Sequence, residues 1–184
     1  MIRITGGEWR GRQIRVPAGI RTRPTSSKVR GALFDMLQGE IPGARFVDLH
    51  CGAGTMGIEA LSRGAAQAVF VESDRRALAL LRRNLEDLGV DPERSEVILH
   101  SALRWAESAD AGGDVIFCDP PYRSCELGEL LPQLAAHGKV SVGGWLAAEV
   151  AKSTDLADLK LPGLRQDRVR RHGDTALWLW RRDG

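Results

Sequence analysis

Val47-Asp48-Leu49-His50-Cys51-Gly52-Ala53-Gly54-Thr55-Met56-Gly57 runs from a short apolar stretch straight into a glycine-rich turn. Arg45–Leu49 predicts a buried strand, and the chain beyond the turn predicts a helix ending near Arg63-Gly64. Gly52, Gly54 and Gly57 satisfy G-x-G-x-x-G in that strand–turn–helix setting. Glycine is needed where the backbone must turn tightly and approach a bound group that a Cβ would strike. Glu72 follows at the tip of a second apolar strand, Ala68–Val71. A carboxylate there can accept hydrogen bonds from both hydroxyls of a ribose, so the unit predicts a nucleoside-cofactor pocket. NAD enzymes share this pattern. Asp48, inside the strand before the glycines, favours S-adenosylmethionine, because an acid attracts the ammonium of a methionine moiety and repels a pyrophosphate.

Outward from this turn, strand and helix signals alternate. Asp74 predicts the cap of a helix with Leu78, Leu81, Leu85 and Leu88 on one face and Gly89 as its stop. Val97–Leu99, a short helix around Leu103–Glu107, the buried strand Asp114–Cys118, a helix through Leu127, Leu130, Leu131 and Leu134, and the strand Trp145–Val150 follow in order. Arg165–Arg171 and Thr175–Arg181, joined across His172-Gly173-Asp174, predict a C-terminal antiparallel hairpin. Upstream, Val29, Leu33, Met36 and Leu37 predict a helix capped by Ser26 or Ser27, and Arg3–Val16 reads as a small β arm broken by Gly6-Gly7 and Gly11. The expected fold is α/β, with a mostly parallel, doubly wound sheet and ligands at the carboxyl ends of its strands.

The 184 residues suit one domain, divided here into a basic arm over 1–24 and a main domain over 25–184. No run reaches the roughly 20 apolar residues of a membrane span, and the first residues lack a secretory h-region. Cys51, Cys118 and Cys125 form an odd set without C-x-x-C spacing, which fits a reducing compartment and predicts a cytoplasmic protein. A monomer is expected. Residues 1–30 carry eight cations against Glu8, a local charge of +7 on a chain whose total is +2. A basic arm on a mildly acidic body is the signature of a polyanion-binding surface.

The strand Asp114–Cys118 leads into Asp119-Pro120-Pro121-Tyr122. Two prolines fix φ and remove backbone donors, leaving the Asp119 side chain and the Pro120 carbonyl as acceptors for the two hydrogens of an –NH₂ group. Tyr122, the only tyrosine, can stack on the base that carries the amine. An amine to be alkylated needs this arrangement, because its lone pair must face the methyl donor. His50, His100, His137 and His172 lack metal-ligand spacing and are read as structural or solvated; no metal is expected. Cys51 and Cys118 are expected to pack, as are Trp178 and Trp180.

The glycine loop, Glu72 and D-P-P-Y resemble the amino-methyltransferases, whose signature is [N/D]-P-P-[Y/F]. The resemblance narrows with I-T-G-G-E-W-R-G-R, R-T-R-P-T-S-S-K-V-R-G-A-L-F, G-I-E-A-L-S-R-G-A-A and D-V-I-F-C-D-P-P-Y. These segments, from Met1 through Tyr122, are similar to the bacterial 16S rRNA guanine-N2 methyltransferases of the RsmD family. The resemblance implies a Rossmann-like, seven-stranded methyltransferase sheet with an N-terminal β extension. It implies S-adenosylmethionine held by Asp48, Gly52, Gly54 and Glu72, and a guanine held by Asp119, Pro120, Pro121 and Tyr122. Family members usually carry Asp where Ser101 stands, to reach the adenine amine; in this chain Ser101 or the Ala102 amide would have to serve at the adenine. Ser27 stands where an Asp is common, and Gly31 where an acid is frequent. Arg3, Arg10, Arg12, Arg23, Thr25, Lys28 and Arg30 are the expected contacts to 16S rRNA, free or in an assembling small-subunit particle. D-P-P-Y does not specify the carrier, so DNA adenine and protein glutamine remain as acceptors, and a non-catalytic RNA-binding module remains as a rival.

Overall fold

The computed structural model describes residues 1–17, 27–120 and 126–184. Nine strands and five helices are assigned among them. A two-stranded antiparallel arm, β1 (Ile2–Arg3) with β2 (Gln13–Ile14), precedes α1 (Ser27–Met36). Then come β3 (Arg45–Leu49), α2 (Thr55–Ser62), β4 (Gln67–Glu72), α3 (Arg75–Leu88), β5 (Ser95–Leu99) and α4 (Ala102–Glu107). The chain ends with β6 (Gly113–Cys118), α5 (Leu127–Ala136), β7 (Val140–Ala151), β8 (Leu164–His172) and β9 (Thr175–Arg182). The seven strands from β3 onward form one sheet in the order β5-β4-β3-β6-β7-β9-β8. The first five in that order run parallel, and β9 runs antiparallel to both of its neighbours, β7 and β8.

Most elements follow their sequence signals. The Asp74 side chain accepts from the Arg76 N–H at the start of α3, and Gly89 ends it in the left-handed region. The strand expected over Trp145–Val150 is longer, beginning at Val140. Gly143-Gly144 hid its first half. Gly143 has φ +76°, Gly144 lies too close to the Asp114 carbonyl for a side chain, and the pairing with β6 shifts register there.

Alternate residues of each strand feed two faces. Phe46, Ala68, Phe70, Phe117 and Leu179 face α1, α2, α3 and the arm, while Val47, Val69, Ile116 and Leu146 face α4 and α5. Trp178 and Trp180 are buried and stacked on the α5 side, as packing residues. The arm shares the core, with Ile4, Trp9 and Ile14 buried beside Phe70 and Leu81. The expected boundary at residue 24 lies outside the described residues.

Two segments quoted for the family resemblance meet in space. The Trp9 N–H donates to the Ser62 hydroxyl at 2.9 Å, and that hydroxyl donates to the Gly6 carbonyl at 2.7 Å. A Cβ on Gly7, at φ +76°, would overlap the Ser62 carbonyl, so Gly6-Gly7 exists to let the arm touch α2. Buried Glu59 accepts from both the N–H and the hydroxyl of Thr5, from Arg63 Nε, and pairs with Arg30 Nε at 3.2 Å.

Candidate active site

The order of β4, β3 and β6 makes the carboxyl end of β3 the point where the connections reverse direction. Ligands of open α/β sheets settle at such points. In register, Leu49 lies between Val71 and Cys118. Residues 50–57 therefore leave the sheet between Glu72, which ends β4, and Asp119, which follows β6.

The glycines divide their work. Gly52, at φ +55°, has nothing near the position a Cβ would take, so open space lies above the loop where a cofactor needs room. Gly54, at φ +84°, and Gly57 face inward, where a Cβ would strike Leu81 and the Phe70 ring respectively. At those two positions helix–sheet packing leaves no room for a side chain.

Asp48 is buried, and its Oδ2 accepts from the Gly57 N–H at 2.8 Å. Burial pushes its carboxyl up to about 7, only partly opposed by the backbone donors of Gly57 and Met56, and the Glu72 charge adds to the rise. An acid in that condition gains from a cation nearby. Glu72 is oriented by three backbone donors. Oε2 accepts from Gly52 at 3.0 Å, and Oε1 accepts from Ser73 at 2.8 Å and Asp74 at 2.9 Å. It is half-buried and keeps lone pairs for a further donor. The His100 N–H donates to the Glu72 carbonyl at 3.1 Å, bringing Ser101 and Ala102 to the same edge. The Ser101 hydroxyl caps α4 by accepting from Arg104 N–H at 3.3 Å, whereas the Ala102 N–H, in the first turn, has no intrahelical acceptor.

Asp119 and Pro120 follow directly on β6, one residue past the Leu49–Cys118 register pair. Pro121 and Tyr122 lie outside the described residues, as do Arg23 and Thr25. Cys51 and Cys118 are buried, and burial, with the charges of neighbouring carboxylates, pushes both thiols well above their ordinary value. Neither supplies a thiolate.

Two expected RNA contacts have other work. Arg30 is 1% exposed, pairs with Glu59 and donates to the Arg3 carbonyl at 2.7 Å, so it holds the arm to the body and does not face solvent. The Arg12 guanidinium donates to the carbonyls of Asp87 at 2.6 Å and Leu88 at 3.3 Å, satisfying the last turn of α3. Arg3, Arg10, Arg12 and Lys28 are exposed.

Three features escaped the sequence reading. Asn84 is buried on α3, accepts from Arg15 N–H at 2.9 Å and donates to the carbonyls of Arg15 and Ala53, joining arm, helix and glycine loop. Its signal was a polar residue beside Leu81, Leu85 and Leu88 on an apolar face. Glu59 gave a similar signal inside apolar α2. His50, read as structural or solvated, has φ 61° and sets Nε2 3.3 Å from Glu126 Oε2, at the start of α5. No sequence spacing announces that pair.

The chain matches, over residues 2–181, the family described as conserved hypothetical protein 95. It is 38% identical over 148 residues to the ribosomal RNA small subunit methyltransferase D of Escherichia coli, covering 80% of this chain and 71% of that one. It is 31% identical to YlbH of Bacillus subtilis over the full length of both. The solved structure of yhhF from Escherichia coli superposes with a TM-score of 0.88 at 30% identity, covering 100% of this chain and 98% of the other. Among the described residues, no helix is long and apolar enough to cross a membrane.

Proposed function

Since the chain belongs to the conserved hypothetical protein 95 family, the RsmD methyltransferases, we propose that it methylates the exocyclic N2 amine of a guanine in 16S rRNA. It is an S-adenosylmethionine-dependent rRNA methyltransferase. Its fold is the Rossmann-like methyltransferase fold, with a C-terminal antiparallel hairpin and an N-terminal β extension. We further propose that it works as a cytoplasmic monomer on free rRNA or a small-subunit assembly particle, and that the reaction needs no metal. Residues 1–24 are an RNA-facing extension of a catalytic domain over 25–184.

The observation that carries this reading is the register of Leu49 with both Val71 and Cys118. It sets the Glu72 edge and the Asp119 turn on opposite sides of one glycine loop. S-adenosylmethionine supplies a methyl already activated on a sulfonium. Asp48 faces its ammonium, the open face above Gly52 receives it, Gly54 shapes the loop, and Glu72 takes the ribose hydroxyls. Ser101 and the Ala102 amide face the adenine. Asp119 and the Pro120 carbonyl accept the two amine hydrogens, turning the nitrogen lone pair toward the methyl, while Pro121 stiffens the turn and Tyr122 stacks on the base. Catalysis is then chiefly orientation, with hydrogen bonds that raise electron density on nitrogen. A paired guanine must leave its stack, at a cost of about a few kcal/mol. Phosphate contacts from Arg3, Arg10, Lys28, Arg23 and Thr25 offset that cost.

Asp119→Ala tests the assignment. It should abolish turnover while cofactor affinity stays within about threefold of wild type; wild-type turnover would remove Asp119 from the mechanism.

A further inference from the structure

We propose that the outer face of α3 is a phosphate-binding ridge that carries the RNA, a role that Arg30, buried on α1, cannot take. The inference rests on the reading of the protein as an rRNA methyltransferase and deepens it by locating the surface.

Helix α3 buries Ala77, Leu78, Leu81, Asn84, Leu85 and Leu88 against β4 and the arm. Its opposite face exposes Arg75, Arg76, Arg82 and Arg83, with small Ala79 between the two pairs. Seven residues make nearly two turns, so Arg75 lies in line with Arg82 and Arg76 with Arg83, about 10 Å apart along the axis. That spans about three nucleotides of a helical strand.

Among the described residues, no ion pair holds any of these four arginines. The acids that would quench them are few. Asp74 accepts from the Arg76 N–H as the helix cap, and Asp87 pairs with Arg15 from the arm. Glu86 stands one turn beyond Arg82 without pairing to it. The arm thus neutralises the acidic end of α3 and joins it, so Arg10, Arg15 and the four arginines lie on one continuous element pair.

Regularly spaced guanidinium groups fit RNA phosphates, which accept two parallel N–H bonds from each fork. The one large apolar side chain beside the arginines, Leu80, is only partly exposed, and a single such residue falls short of the apolar face that a membrane-surface helix buries. It also begins three residues after Glu72, so a strand lying along it passes the carboxyl edge of the sheet.

The test compares two paired variants of the full chain. Arg82→Ala with Arg83→Ala removes charge from the ridge. Arg165→Ala with Arg171→Ala removes equal charge from exposed positions on β8, the opposite edge of the sheet. Affinity for small-subunit rRNA is measured against salt, with cofactor affinity and melting temperature alongside. The ridge variant should bind RNA roughly tenfold more weakly and lower the salt slope by about 1.4–1.8, the contribution of two phosphate contacts. The β8 variant should match wild type, and both should bind cofactor normally. A ridge variant no weaker than the β8 variant, with wild type still methylating rRNA, overturns the ridge alone. A wild type with no salt-dependent RNA binding and no methylation overturns the functional reading with it.

Discussion

His50 Nε2 lies 3.3 Å from Glu126 Oε2, tying the residue before the glycine loop to the first residue ahead of α5. His50 reaches it from a left-handed backbone, at φ 61°, which costs an L residue about 1–2 kcal/mol. The pair therefore links the loop assigned to the cofactor with the segment that leads into α5. Glu126→Ala breaks it without touching the strained residue. kcat/KM for RNA should fall about three- to tenfold, mainly through kcat, while cofactor affinity and melting temperature hardly move. Equal losses in cofactor affinity would show instead that the pair supports the loop alone.

Asp48 gives a pH prediction. Its carboxyl is raised to about 7 by burial, so the folded protein holds a proton that the unfolded chain releases near 4. The sign follows: this contribution to stability is complete below the unfolded value and is lost as pH rises toward 7. Asp48→Asn keeps an oxygen for the Gly57 N–H and removes the ionisation. The variant should melt several degrees higher than wild type at pH 8, and the gap should shrink toward pH 5. Its affinity for S-adenosylmethionine should drop about 10- to 100-fold, since the ammonium loses its counter-charge. A pH-independent gap would mean Asp48 titrates normally.

Glu59 predicts how the arm is held. Glu59→Ala leaves the Arg30 guanidinium buried with no countercharge and frees Thr5, at a cost of about 3–5 kcal/mol. Chemical denaturation should show that loss, and proteolysis should cut within residues 1–17 under conditions where wild type resists. An unchanged denaturation midpoint would show that the Arg30–Glu59 pair contributes nothing.

The period-two and period-3.6 patterns carried the sheet and helices, because strand and helix faces are local properties. The Asp74 cap and the Gly89 stop were legible for the same reason. The contacts between Glu59 and Thr5, Ser62 and Trp9, and Asn84 and Arg15 span more than 50 residues, and no local pattern names a partner so distant. The charge count overreached at Arg30. A run of cations reports sign, not burial, and Arg30 is buried against a carboxylate of the protein itself. The glycine motif was legible as a motif, but only the fold separates Gly52, which faces open space, from Gly54 and Gly57, which face Leu81 and Phe70.

Gly57 extends that distinction into a stability test. Gly57→Ala sets a methyl into the Phe70 ring and should cost about 1–3 kcal/mol by overpacking. Gly52→Ala meets no protein atom, so its penalty is confined to the left-handed backbone and to the cofactor. Denaturation midpoints should rank Gly57→Ala well below Gly52→Ala, and cofactor affinity should rank them in reverse.

The central claim is the identity of the methylated atom. Labelled S-adenosylmethionine, unmodified small-subunit rRNA and the purified chain are incubated together, and the RNA is digested to nucleosides. The account predicts label in N2-methylguanosine alone. Label in N6-methyladenosine, or on protein with none in the RNA, would contradict it.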